Sequence, residues 1–234
     1  MSKLPRPWNC FEVYLFDIDG TLLQCADAVH YFAFCDVLSR VAGRPLTLDG
    51  VVAHGNTDVG ILRDALVLAD VSEERWRPEL DAMKRRMCAN VQAREKEVCA
   101  AALPGVREVL EHLRGRGATL GVATGNLEAI GKLKLQRAGL LTLFDFGGWS
   151  DEFEFRTDVF KAAVTKARGI AGDAAAICVV GDTPADIWAA HENGLPVIAV
   201  ATGIYPLEEL VPAGPELCVN SMQELLAAVQ CLPA

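Results

Sequence analysis

The sequence predicts an α/β protein in three layers: a parallel sheet covered on both faces by helices, into which a wholly helical segment is inserted. Three observations predict it. Residues 13–16, 119–123, 176–180 and 196–200 are continuous apolar runs, the pattern of strands buried on both faces. Helix-patterned stretches alternate with these runs in the second half of the chain. Between about residues 26 and 101 the pattern is helical throughout. The expected division is therefore a core made of residues 1–24 and 102–234, with residues 25–101 as an inserted helical domain.

In order, Val13-Tyr14-Leu15-Phe16 reads as the first strand. Residues 26–41 carry Val29, Phe32, Ala33, Val37 and Val41 at helical spacing, and Gly43-Arg44-Pro45 ends that helix. Asn56 or Thr57 suits the N-cap of a second helix with Ile61, Leu62, Ala65 and Leu66 on one face. Ser72 opens a third helical region, with Glu73 and Glu74 where the helix dipole favours acids. Pro78 restarts the helix, which is expected to run toward Cys99 with Met83, Met87 and Val91 as its packed stripe. Arg85, Arg86, Arg94 and Lys96 form its solvated face. Pro104-Gly105 is a break, followed by a helix over 106–113 and a strand over 119–123. A helix then runs to about 138, a short strand is expected at 144–146, and a helix at 157–167. The strand at 176–180 leads into a helix ending near His191, then a strand at 196–200 and a last helix at 221–230. The insertion leaves the core just after the first strand ends. It must lie over the carboxyl ends of the strands, where open α/β sheets bind ligands, and so is placed as a cap.

The bulk properties narrow the function. With 51% hydrophobic residues among 234, a sizeable core is assured. No apolar run approaches the roughly 18 residues of a membrane span, and the first residues lack the apolar core of a signal peptide, so no membrane partner is expected. Eight cysteines without a C-x-x-C pair read as reduced thiols of a cytoplasmic protein. A net charge of −9 without a basic block argues against nucleic acid as a partner. A phosphorylated substrate would also be repelled by that charge unless a metal ion and a basic side chain reversed the field locally. A monomer or homodimer is expected.

Three constellations stand at strand ends. In Phe16-Asp17-Ile18-Asp19-Gly20-Thr21, Gly20 permits a turn that re-aims the second carboxylate. Two crowded acids suit a magnesium ion, which prefers oxygen ligands; an Asp/Gly surface turn is the other reading. Thr124-Gly125-Asn126 offers a hydroxyl and free backbone N–H groups to a phosphate, or else simply ends a strand and caps a helix. In Gly181-Asp182-Thr183-Pro184-Ala185-Asp186, Asp182 ends a strand, Pro184 suits the first helical position and Asp186 lies one turn further on the same side. An N-cap role for Asp182 would not account for Asp186. Between the last two motifs, Arg156 falls just before a helix and Lys161 a turn inside it. His30, His112 and His191 fall in helical stretches and read as surface or packing residues.

Taken in order, Asp17-x-Asp19-Gly20-Thr21, Thr124 after an apolar strand, and Gly181-Asp182-x-x-x-Asp186 resemble the motifs of the haloacid dehalogenase superfamily of phosphohydrolases, in particular its phosphoglycolate phosphatase-like and β-phosphoglucomutase-like groups. The resemblance implies a Rossmann-like three-layer core under a helical cap, and hydrolysis of a small phosphorylated metabolite. It makes Asp17 the nucleophile that forms an aspartyl-phosphate and Asp19 the general acid/base. Magnesium would be held by Asp17, Asp182 and the backbone carbonyl of Asp19, with Asp186 completing the metal group. Gly20, Thr21, Thr124, Gly125, Asn126 and Arg156 would bind the phosphate, Thr124 and Arg156 acting on the transition state. The sequence departs from many relatives in lacking a Lys-Pro before the helix at 157–167; Arg156 or Lys161 must supply that cation. In the cap, His54, Asn56 and Asp58 are the expected specificity residues, unless Asn56 or Asp58 merely caps a helix. Asp58 stands where β-phosphoglucomutase carries an Arg for a second phosphate. A phosphomutase of the same superfamily and a catalytically silent binding module are the alternatives.

Overall fold

The computed structural model describes residues 2–230; residue 1 and residues 231–234, the end of the expected core segment, lie outside the described residues. The elements in order are β1 (Val13–Phe16), β2 (Leu23–Cys25), α1 (Val29–Ala42), α2 (Asp58–Leu68), α3 (Glu73–Trp76), α4 (Leu80–Ala93), β3 (Ala100–Ala102), α5 (Val106–Gly115), β4 (Thr119–Ala123), α6 (Glu128–Arg137), β5 (Phe146–Gly148), α7 (Arg156–Ala171), β6 (Ile177–Gly181), α8 (Pro184–Glu192), β7 (Val197–Val200), α9 (Leu207–Leu210), β8 (Leu217–Val219) and α10 (Met222–Gln230).

Six strands form one sheet in the order β5-β4-β1-β6-β7-β8, every neighbouring pair parallel. The apolar runs make this possible, because a parallel sheet must bury both faces. On β1 the side chains alternate. Tyr14 and Phe16 pack with Leu120, Val122, Val109 and Leu225 on the face covered by α5 and α10. Val13 and Leu15 pack with Val179, Phe160 and Ile187 on the face covered by α7 and α8. Because Phe16 is in register with Val122 of β4 and Val180 of β6, the residues that follow these strands share one rim of the sheet.

The insertion has its own core. Val37, Leu38, Leu62, Leu66, Trp76 and Met87 are buried together, and Leu127, the N-cap of α6, with Ile130 and Leu133 of that helix, completes the cluster. Each such side chain stabilises the fold by about 1.5–3 kcal/mol through burial. The insertion is thus tied to α6 and not only to its two connections.

Several details differ from the sequence expectation. Phe32 is 53% exposed, while Phe34 and Leu38 turn inward, so the buried stripe of α1 is Val29-Ala33-Phe34-Val37-Leu38. The helix expected to run toward Cys99 stops at Ala93. Beyond it the chain forms a two-stranded antiparallel ribbon, β2 with β3, so the base of the insertion is not wholly helical. There the Ala26 N–H donates to the Cys99 carbonyl (3.0 Å) and the Cys99 N–H to Asp27 (2.7 Å), clasping the two ends of the insertion together. β5 lies two residues later than expected, α7 extends to Ala171, and β8 and α9 carry too few residues for periodicity to reveal them. Among the described residues no helix is long and apolar enough to cross a membrane, and the described cysteines are free thiols.

Candidate active site

The loop after β1 is shaped by what lies behind it. Ile18 is fully buried and anchors the loop between the two acids. Gly20 sits at φ +83°, and a Cβ there would overlap the Asp182 carboxylate, so only glycine satisfies both the turn and the approach. Thr21 Oγ1 donates to Asp182 Oδ1 at 2.7 Å, joining the first and last motifs.

Asp17 lies on the buried side of this loop. Arg156, the first residue of α7, is also buried, and its Nη2 is 2.7 Å from Asp17 Oδ1. The same guanidinium donates through Nε (2.9 Å) and Nη2 (2.5 Å) to Asp186 Oδ1. Asp186 Oδ2 accepts from the Thr183 N–H (3.0 Å) and Oγ1 (2.7 Å), a capping box at the start of α8. Lys161 is exposed on α7, away from this group. Oxygens of Asp17, Asp182 and Asp186 lie within 4.8 Å of one another. Burial pushes the Asp17 and Asp182 carboxyls up, nearby carboxylates add to the shift, and Arg156 opposes it.

Three buried carboxylates against one guanidinium leave an uncompensated negative charge, and all the donors are oxygens. That set fits a hard divalent cation such as magnesium. Asp186 belongs to this group and also fixes Arg156, its oxygens accepting from Arg156 and Thr183. For Asp19 only the backbone carbonyl is expected at the metal, and its carboxylate turns the other way, toward Lys134.

Asp19 is held by a residue that the sequence reading passed over. Lys134 of α6 is buried, and its Nζ lies 2.9 and 2.8 Å from the two Asp19 oxygens and 2.7 Å from Asn126 Oδ1. Asn126 Nδ2 donates to Asp19 Oδ2 (2.8 Å) and reaches Thr124 Oγ1 (2.9 Å). The proton of the Thr124 hydroxyl has no acceptor among the described residues. Burial alone would raise the Asp19 carboxyl, but the Lys134 charge and the bonds from Lys134 and Asn126 hold it below the usual range. Burial would likewise lower Lys134; Asp19 keeps it up. The Asp19 side chain remains 43% exposed, toward the cleft. The sequence signal for Lys134 was its place on the apolar stripe Leu127-Ile130-Lys134, two helical turns from Asn126.

The insertion closes over this rim through the start of α2. Thr57 is its N-cap, accepting from the Gly60 N–H at 2.8 Å, so neither Asn56 nor Asp58 has that role. The Asp58 N–H donates to the Gly125 carbonyl (2.6 Å), and Asp58 Oδ2 accepts from the Leu127 N–H (2.8 Å). A Cβ at Gly125 would overlap the Asn56 carbonyl, so glycine at the second motif is what lets the insertion dock. Asn56 is occupied within its own segment, donating to Asp64 (2.9 Å) and accepting from the Thr57 N–H. His54 is exposed at the edge of the cleft. Asn56 and Asp58 therefore line the cleft while holding the architecture. His30, read from sequence as surface or packing, lines the cleft as well. The cleft encloses about 300 Å³ between Asp17, Asp19, Thr124 and Asp182 below and α1 and α2 above.

Comparison with known proteins places this geometry. Residues 14–200 match the family model described as haloacid dehalogenase-like hydrolase. A Dickeya dadantii protein named "Probable phosphatase IndB" is 33% identical over 129 residues, 55% of this chain and 56% of that protein, so the match spans about half of that relative. A phosphoglycolate phosphatase of Agrobacterium fabrum is 27% identical over 217 residues, 92% of this chain and 91% of its own. Among solved structures, CbbY from Rhodobacter sphaeroides in complex with xylulose-(1,5)bisphosphate superposes with a TM-score of 0.68 at 18% identity, covering 92% of this chain and 96% of that one; at that identity the likeness is one of fold.

Proposed function

The chain belongs to the haloacid dehalogenase-like hydrolases, and from that premise we propose that it is a magnesium-dependent phosphatase hydrolysing a small phosphorylated metabolite through an aspartyl-phosphate. The observation that carries the reading is the pairing of Asp17 with Arg156 on one side of the loop and of Asp19 with Lys134 on the other. Asp17 attacks phosphorus as the bond to the substrate alcohol breaks, and Asp19 gives its proton to the departing oxygen. A dianionic phosphate arriving beside Asp19 raises its proton affinity, which the first step needs. In the second step Asp19 takes a proton from the attacking water, and inorganic phosphate leaves Asp17 free. Lys134 favours the ionised form of Asp19 that this step requires. Thr124 Oγ1, the N–H groups of Thr21 and Gly125, and Arg156 would bind the phosphoryl oxygens, while the Gly20 N–H is spent on the turn, donating to the Leu23 carbonyl at 2.9 Å. Asp17 and Asp182 would hold magnesium, which when bound neutralises charge developing on those oxygens.

In this reading residues 25–101 act as a cap that excludes water and chooses the alcohol, while residues 1–24 and 102–234 do the chemistry. The protein would work in the cytoplasm as a monomer or homodimer, without nucleic-acid or membrane partners. The test is turnover of an aryl phosphate by the purified chain. Hydrolysis is expected with magnesium, lost on chelation and restored by adding the ion back. If clean, folded protein cleaves no phosphate ester at any magnesium concentration, the phosphatase reading is wrong.

A further inference from the structure

The floor and the roof of the cleft differ in charge. Its lining contains two Lys or Arg side chains, Lys134 and Arg156, and both are engaged by carboxylates of the floor. The roof contributes one full carboxylate, Asp58. Beside it the roof presents an apolar and aromatic surface from His30, Tyr31 and Phe34 of α1, Ile61 of α2, and Leu48 and Ala53 between them, with the polar His54 and Asn56 at its edge. The His30 ring stacks on Phe34, centroids 4.8 Å apart and planes 26° from parallel. His30 Nε2 is 3.2 Å from Asp58 Oδ2 but lacks the alignment of a hydrogen bond, which leaves an enclosed polar atom without a partner.

A second anionic group on the substrate, such as a carboxylate or another phosphate, would find no free Lys or Arg under this roof and would approach Asp58. A ring or branched apolar group would meet surfaces able to stack and bury it. A hydroxyl or carbonyl on such a group would supply the partner that His30 Nε2 lacks. Resting on the phosphatase reading, we propose that the substrate is a phosphomonoester of an uncharged alcohol with an aromatic or flat apolar body and a polar group at its edge. Phosphoglycolate and sugar bisphosphates, which appear in the names of relatives, are then poor substrates of this chain.

The experiment uses the full chain with magnesium and three esters of primary alcohols: ethyl phosphate, benzyl phosphate and 2-phosphoglycolate. All three expel a primary alkoxide, so the ratios of kcat/KM report the fit of the alcohol under the roof. Benzyl phosphate is expected to exceed ethyl phosphate by at least about tenfold, the scale that hydrophobic fit provides. Phosphoglycolate is expected at or below ethyl phosphate. Phe34→Ala should bring the benzyl-to-ethyl ratio toward one. Ala53→Arg, which adds the missing cation, should raise phosphoglycolate relative to ethyl phosphate at least about fivefold by supplying a charge partner. Phosphoglycolate outrunning benzyl phosphate on the parent enzyme would overturn the inference and leave the phosphatase standing, an outcome that needs no variant to fold. Failure of benzyl phosphate to be cleaved while an aryl phosphate is cleaved would overturn it too. If neither these esters nor the aryl phosphate is hydrolysed, the phosphatase reading falls and takes the inference with it.

Discussion

Asp17 and Asp19 stand two residues apart on one loop, yet their electrostatic surroundings are opposite. Asp17 shares one guanidinium with Asp186 and has Asp182 beside it, so its side of the cleft carries more negative charge than the protein neutralises. Asp19 has an ammonium of its own and an amide donor, so its side is balanced. The imbalance indicates where an ion is needed and the balance where it is not. In the proposed mechanism the nucleophile, which must approach a dianion, requires the extra positive charge, and the acid/base, which must gain and lose a proton, is better served by a fixed neighbour. The loop makes the separation possible, because Ile18 is locked in the core and Gly20 turns the chain back on itself.

The largest expected effect lies on the unbalanced side. In the proposed mechanism Asp17→Asn removes the nucleophile and should lower kcat by at least about a thousandfold, in line with the loss of other covalent nucleophiles. Measured in chelator at neutral pH, its melting temperature should rise, since burial and neighbouring carboxylates disfavour the charged Asp17 that the substitution replaces. A mutant that keeps a tenth of the activity would show that Asp17 is not the attacking group.

The two cations should then separate by their effect on magnesium. Arg156→Ala and Lys134→Ala should each slow turnover by about a hundredfold, the scale of one lost transition-state donor or of a disturbed general acid. Arg156→Ala also makes the carboxylate group more negative, so half-saturation should move to lower magnesium. Lys134→Ala should leave half-saturation where it was, and Lys134→Arg should recover part of the rate. Magnesium titrations of initial rate decide the matter, and identical shifts in both mutants would dissolve the distinction between the two sides.

How far the sequence carried this picture depended on the kind of signal each residue leaves. Strands such as β4 were legible because a strand buried on both faces must be a continuous apolar run, and the acids following β1 and β6 stand out against such runs. Arg156 was placed just before its helix by the sequence and at the helix's first residue by the structure, whereas its rival Lys161 points to solvent. Lys134 was missed because a lysine within a helix, two residues from Lys132, reads as part of a solvated face. Only the burial of its neighbours on α6 and the turn of Asn126 toward it give it a partner, and those are tertiary facts. The inward face of α1 was misjudged for a related reason. Phe32 and Phe34 are equally apolar, and packing against α2 and α4 selects between them. Asn56 and Asp58 read as specificity residues by their polarity; both line the cleft, and the structure adds what polarity does not reveal, that they also hold the segment docked on Gly125.

Asp58 tests the roof of the comparison. Its bonds to Leu127 and Gly125 make it a latch between insertion and core, with a carboxylate that also faces the cleft. Asp58→Ala removes the Leu127 contact and leaves the backbone bond from residue 58 to Gly125. Turnover of ethyl and benzyl phosphate should both fall, by about tenfold, the consequence of losing one charge-assisted hydrogen bond in the closed form. Equal losses mark a latch. A loss confined to one ester would instead make Asp58 a selector of substrate, and intact turnover of both would mean that the cleft closes without it.

The smallest expected effect comes from a carboxylate whose charge balance errs in the other direction. Asp36 on α1 accepts from Arg86 Nε (2.6 Å) and Asn90 Nδ2 (2.9 Å) of α4, with Arg40 Nε 3.3 Å away on its own helix. The bond from Arg86, joined by those from Asn90 and Arg40, outweighs a modest desolvation and lowers its carboxyl to about 2. Here cations exceed the acid, but the site is at the surface: the Asp36 side chain is 34% exposed and that of Arg86 43%, so solvent screens the interaction. Asp36→Asn should therefore cost only about 0.5–1 kcal/mol, the range of an exposed ion-pair network, or about 1–4 °C of melting temperature for a chain of this size. The sign of the pH dependence follows from the depressed value. The contribution is fully present above the ordinary carboxylate value of 3.8 and disappears as pH falls toward about 2. The difference in melting temperature between parent and Asp36→Asn should hold steady from pH 7 to 5 and shrink at pH 3. A difference that persists undiminished at pH 3 would show that Asp36 acts through packing between α1 and α4 and not through its charge.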